Sequence, residues 1–166
     1  MRVMGVDPGL TRAGYAVVEQ SSGNLRAIAY GTVRGGDAEV PVQLAALRER
    51  LAATIRDHAP EAMAVERLFV TRNQRTAMRV GQASGVVLLA AAEAGLPVTE
   101  YGPLQVKQAV VGVGNATKDQ VSFMVRRLLS LAEKPETADA ADALALAICH
   151  LHSYRLTQRA VGGGRR

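Results

Sequence analysis

Tryptophan is absent from this chain, cysteine occurs once and phenylalanine twice, and aromatic residues make up only 4% of its 166 positions. An internal disulfide and a cysteine-built zinc site are therefore excluded. The core has to be assembled from Ala, Val, Leu, Ile and Met. Cys149 falls in the apolar run 144–151, where a buried thiol is expected. No apolar run reaches the roughly 18 residues of a membrane-spanning helix. The chain opens on one charge and a strand pattern rather than a signal peptide, so a cytoplasmic location is the expectation. Lysine is also scarce. Of 20 basic residues only Lys107, Lys118 and Lys134 are lysines, in a chain that otherwise uses arginine. Those positions invite a specific explanation, because a compact ammonium does different work from a planar guanidinium.

What is present points to one globular domain. Hydrophobic residues form 48% of the chain, enough for a full core and too many for a disordered one. The net charge is +5 and the sequence pI about 9.9. Such a balance serves either a face for a polyanion, from which bound Lys and Arg release counterions, or a solubilising surface.

Residues 2–7 read as a short buried strand that ends on an acid, with Pro8 and Gly9 as punctuation. A second strand over 14–18, a turn at 21–24 and a third strand over 25–33 complete an antiparallel meander. Leu44, Leu47, Leu51 and Ile55 keep helical spacing within 40–58. The strand 62–66 again finishes on an acid. A long helix over 73–94 carries the small residues Gly81, Ala83, Ser84 and Gly85, and a strand over 98–101 and a short helix over 103–110 follow it. A glycine-rich loop at 112–115 precedes helices over 117–131 and 137–154. The expected organisation is one domain over 1–156 and a basic, disordered tail over 157–166. The order βββαβαβ predicts an α/β fold of the ribonuclease H-like plan. Its five-stranded mixed sheet, three antiparallel strands and then two parallel ones, is flanked by helices. Half of an actin-like ATPase has the same plan, so the fold alone leaves function open.

Four carboxylates stand in apolar surroundings. Asp7 closes the first strand and Glu66 the fourth; parallel neighbours would bring both to the carboxyl edge of the sheet. Asp139 and Asp142 are three residues apart in an alanine-rich segment, which on a helix places them on one face. Singly, each has a plainer reading: Asp7 as a turn residue before Pro8, Asp139 as a cap of the last helix. Together they form a cluster that persists only if protons or cations neutralise it. Carboxylate oxygens suit magnesium or manganese, and two ions about 3.5–4 Å apart would clamp the attacking and leaving oxygens of a phosphodiester displacement. Phe69 lies on a basic stretch with Arg67, Arg72 and Arg75 just after Glu66, a good stacking platform for an unpaired base or else a buried strand-end residue.

Residues 5–11 (GVDPGLT), 65–70 (VERLFV), 81–85 (GQASG), 106–112 (VKQAVVG) and 138–143 (ADAADA) resemble, in order, the motifs of the RuvC family of Holliday junction resolvases. The resemblance spans residues 1 to about 152. It implies a homodimeric crossover junction endodeoxyribonuclease acting in DNA recombination and repair, with two magnesium ions per site (or manganese). It implies symmetric nicks in opposing strands of a four-way junction, leaving 5′-phosphate and 3′-hydroxyl ends. Asp7, Glu66, Asp139 and Asp142 match the family's metal-binding catalytic acids, with Asp7 as the bridge. Lys107 and Lys118 match basic residues near the scissile phosphate, Lys118 acting in catalysis, and Phe69 matches a wedge that opens base pairs. A branch-migration helicase of the RuvA–RuvB type is implied as partner. The helix over 73–94 is a candidate dimer contact, or a core element. An actin-like ATPase, a nuclease of the same fold for duplex or RNA, and an inactive junction binder are the competing readings.

Overall fold

The computed structural model describes residues 1–67 and 73–162, with side chains through residue 154. Phe69 and Arg72 lie outside the described residues. Within them, strands β1 (Arg2–Asp7), β2 (Arg12–Ser21) and β3 (Asn24–Arg34) form the meander. Helix α1 (Val40–His58), strand β4 (Ala62–Glu66), helix α2 (Gln74–Glu93) and strand β5 (Val98–Tyr101) follow. Helices α3 (Pro103–Val111), α4 (Lys118–Leu128) and α5 (Ala138–Gly162) close the order. The sheet order is β3-β2-β1-β4-β5, antiparallel through β1 and parallel from β1 to β5. The expected mixed sheet is present.

Strand periodicity divides the core into two layers, since alternate residues point to opposite faces. Met4, Val6, Val17, Met63 and Val65 pack toward α1 and α2, whereas Val3, Ala16, Val18 and Ala64 pack toward α3, α4 and α5. β1 lies at the centre, with Val3, Met4 and Val6 all at 0% exposure. The same alternation puts Gly5 and Asp7 with Val3, and Glu66 with Ala64, on the layer that faces α5.

Helix α5 comes down on the sheet through glycine. A Cβ on Gly5 would collide with the backbone oxygen of Ala143, and one on Gly14 with that of Asp139. With no side chain at either point, the alanine-rich helix meets the strand backbones directly. Its start is tied by Thr137, whose Oγ1 accepts from the Ala140 N–H at 3.2 Å and contacts Thr32 Oγ1 on β3.

Several bounds differ from the sequence reading. β2 and β3 extend past 14–18 and 25–33, because antiparallel pairing continues from Arg12 opposite Arg34 to the turn. α4 ends at Leu128 rather than 131, and Ser130 takes a positive φ of 51° beyond it. α5 continues to Gly162 rather than stopping at 154, so residues 157–162 of the expected disordered tail are helical. Arg155, Leu156, Gln158 and Ala160 are good helix formers, and no Gly or Pro breaks the run before Gly162. Cys149 is buried as expected, which pushes its thiol up to about 11.

Candidate functional site

Three elements bring the four acids together. β1 ends on Asp7 and the parallel β4 ends on Glu66, with Val6 opposite Val65 in register just before them. Both acids follow fully buried residues and face α5, which carries Asp139 and Asp142 in its first two turns. The two plainer readings fail. Asp7 is a strand residue paired with Gly14, and Thr137, not Asp139, caps α5. Asp139 is instead an acid in the first turn, where the helix dipole favours negative charge.

The electrostatics show how closely the acids sit. Asp7 is pushed up to about 8, by burial first and then by the charges of Glu66, Asp142 and Asp139, with a hydrogen bond to Glu66 adding to the shift. Burial also raises Glu66, against the lowering effect of the bond from Asp7 and of Lys118. Burial and the neighbouring charges thus favour a proton on Asp7 near neutral pH. The α5 acids have cationic partners. Lys118 Nζ donates to Asp142 Oδ2 at 3.2 Å, and chiefly that contact raises the lysine. Arg12 Nε lies 2.9 Å from Asp139 Oδ2. The arginine is not aligned for a hydrogen bond, so this buried oxygen accepts none.

These residues fit a hard divalent ion by chemistry: every donor is a carboxylate oxygen, one is buried without a hydrogen bond, and burial with mutual repulsion raises Asp7 to about 8. Among the described residues no three acids, histidines or cysteines already form a ligand set around one point. Two of the four acids engage Arg12 and Lys118 instead. Beside the acids a cleft is lined by Glu66, Pro103, Val106, Lys107, Lys118 and Asp142. Lys107 and Lys118 thus flank the cluster as expected. The positioning of Lys118 comes from Thr117, which caps α4 through a reciprocal pair of bonds with Gln120. Arg67 and Arg75 are exposed, the first just past β4 with its N–H on the Tyr101 carbonyl at 2.9 Å, the second in the first turn of α2. Lys134 is exposed and lines a second hollow with Lys118, Ser122 and Asp142.

Arg12 is the site residue that sequence reasoning missed. Its signal was present: two positions before Gly14 on one strand, it shares the face that α5 covers. Starting β2 at residue 14 hid it.

The raised acid has a consequence for stability. From its ordinary 3.8 to about 8, folded Asp7 keeps a proton that the unfolded chain gives up. The folded state then binds more protons, so stability falls as pH rises through that window and levels off above it. We expect the metal-free melting temperature to drop between pH 5 and 8.5, and magnesium to restore more of it at pH 8.5 than at pH 5.5. Thermal scans of the wild type and Asp7→Asn, with and without magnesium, check this. The same decline in both proteins would show that Asp7 is not its source.

A family model described as "Crossover junction endodeoxyribonuclease RuvC" matches residues 3–150. A crossover junction endodeoxyribonuclease of Syntrophomonas wolfei is 50% identical over 158 residues, covering 95% of this chain and 92% of that protein. One from Salinispora arenicola is 54% identical over 153 residues, covering 91% of this chain and 87% of that one. Among solved structures, the T. thermophilus RuvC in complex with a Holliday junction superposes with a TM-score of 0.89 at 40% identity, covering 95% of this chain and 96% of that one.

Proposed function

This chain belongs to the RuvC family of crossover junction endodeoxyribonucleases, and from that premise we propose that its four carboxylates hold two divalent cations over which a four-way DNA junction is cut. The observation that carries this reading is the meeting of Asp7, Glu66, Asp139 and Asp142, from three elements, closely enough that burial and the other three charges raise Asp7 to about 8. Membership in the family sets aside the actin-like ATPase reading.

Magnesium or manganese bound there would stabilise charge on the phosphate and supply an activated water for hydrolysis. Asp7, which interacts with the other three acids, would bridge the ions, and Glu66, Asp139 and Asp142 would complete their ligands. Lys118, beside Asp142, holds a positive charge where the transition state gathers negative charge. Lys107, which lines the same cleft, binds the backbone of the same strand. Arg67 and Arg75 bind neighbouring phosphates together with Arg72, and Phe69 stacks on a base freed at the crossover. The products are two symmetric nicks with 5′-phosphate and 3′-hydroxyl ends. The catalytic unit is a single domain over 1–156, and a branch-migration helicase of the RuvA–RuvB type delivers or tracks the junction.

Two equivalent cuts require two sites related by symmetry, so the working unit is a homodimer. The support is the outer face of α2, where Met78, Leu88 and Leu89 are 67%, 40% and 50% exposed. Gly81 and Gly85 on that helix have open space in front of them. Neighbouring backbones can approach closely there. Leu89→Glu should dissociate the dimer, read as halved mass in sedimentation; an unchanged mass would place the interface elsewhere.

The deciding experiment compares a synthetic four-way DNA junction, a linear duplex and an RNA hairpin, each with magnesium and with chelator. We expect paired nicks in the junction alone, and only with magnesium. Equal cleavage of the duplex or the hairpin would assign another nucleic acid, and cleavage in chelator would remove the metal from the mechanism.

A further inference from the structure

We infer that Arg12 competes with divalent cations for Asp139, so that the enzyme carries its own counter-ion at one metal ligand; this rests on the proposal that the four acids bind metal. Three observations converge on it. The Asp139 Oδ2 oxygen is buried and accepts no hydrogen bond, so it needs a positive partner. Arg12 Nε supplies one at 2.9 Å, yet its side chain is 52% exposed and its approach is out of line for a hydrogen bond. An exposed, misaligned ion pair is weak and exchanges easily. Asp142 has a parallel arrangement with Lys118, which is 82% exposed. Each α5 acid therefore faces one side chain that can leave.

The fold explains why Arg12 reaches this place. On β2 it shares a face with Gly14, where α5 touches the sheet through the Asp139 carbonyl. One step beyond that contact, the arginine passes the end of the helix and meets the Asp139 carboxylate. Arg34 is its register partner on β3 and projects on the same face, lining a hollow with Glu136 and Thr137. A guanidinium displaced from Asp139 thus stays beside a second one, at the edge where a DNA phosphate would pass.

A guanidinium and a divalent ion cannot both neutralise Asp139 without repelling each other. Metal binding therefore releases Arg12, and a phosphate that holds Arg12 away strengthens metal binding by the same factor. Arg12 makes the metal site weaker alone and stronger on DNA.

The test is manganese binding to the full-length protein without DNA, followed by the paramagnetic signal of the free ion. Wild type, Arg12→Ala, Arg12→Lys and the remote control Arg48→Ala are compared, with circular dichroism to verify folding. Arg12→Ala should bind manganese roughly three- to tenfold more tightly than wild type. Arg12→Lys, which keeps the charge, should fall between them, and Arg48→Ala should match wild type. A purely structural arginine predicts the opposite sign, because Asp139 would lose its support. Unchanged or weaker binding in Arg12→Ala overturns the inference. A wild type that binds no manganese overturns the metal reading as well.

Discussion

Asp7→Asn should slow junction cleavage by about three orders of magnitude or more, while junction affinity stays within about twofold. Asparagine has nearly the shape of aspartate, so β1 and its pairing with β2 and β4 are kept. What disappears is the anion that interacts with Glu66, Asp142 and Asp139 together. An amide offers one weak oxygen in its place and cannot bridge two cations. On the proposed reading, junction affinity would come mainly from phosphate contacts by Lys and Arg, none of which this change touches. The fold should benefit. Near neutral pH folded Asp7 keeps a proton that the unfolded chain gives up, and a side chain that never ionises removes that advantage of the unfolded state. The variant should therefore melt higher than wild type without divalent ions. Single-turnover cleavage, gel-shift titration and a thermal scan test the three parts. Cleavage within tenfold of wild type would remove Asp7 from the chemistry.

Gly5→Ala and Gly14→Ala should each be costly, for related but separable reasons. At Gly5 the added methyl would enter the Ala143 carbonyl and come within 2.9 Å of the Ala147 nitrogen. Both obstacles are backbone in the middle of a buried helix, so neither can turn aside. Overpacking of this kind costs about 1–3 kcal/mol, a loss of roughly 2–12 °C in melting temperature for a chain of this size. At Gly14 the obstacle is the Asp139 backbone, in the first turn of α5. The helix start can lift there at a smaller cost in stability, but it carries Asp139 and Asp142 with it. A shift of about 1 Å in a reacting group can cost about a hundredfold in rate. Gly5→Ala should thus show mainly as lost stability, and Gly14→Ala mainly as lost cleavage with a milder thermal change. An unchanged melting temperature for Gly5→Ala would mean that α5 is not seated as closely as described.

Much of the site was readable in the chain. Asp7 and Glu66 each end an apolar run of strand length, and Asp139 and Asp142 keep helical spacing among alanines. These are local patterns, and local patterns survive without knowledge of the fold. The bounds of α1, β1, β4 and β5 were readable for the same reason, each set by a turn signal or a proline next to a periodic run. Elements whose length depends on partners were not. β2 and β3 grow by pairing with each other, and α4 stops at Leu128 although its helical pattern runs on.

By itself, then, the sequence determined which residues are candidates for the chemistry, since composition and period already mark acids that sit where a core should be. Tertiary structure alone decided that β1 lies beside β4, so that the carboxyls of Asp7 and Glu66 come into hydrogen-bond contact. It also decided that α5 rests on Gly5 and Gly14, and that Arg12 and Lys118 become the partners of the two α5 acids. The division has a physical cause. A residue's identity and spacing are properties of the chain, whereas a pKa near 8 or a colliding Cβ arises only between segments that packing has brought within a few ångströms.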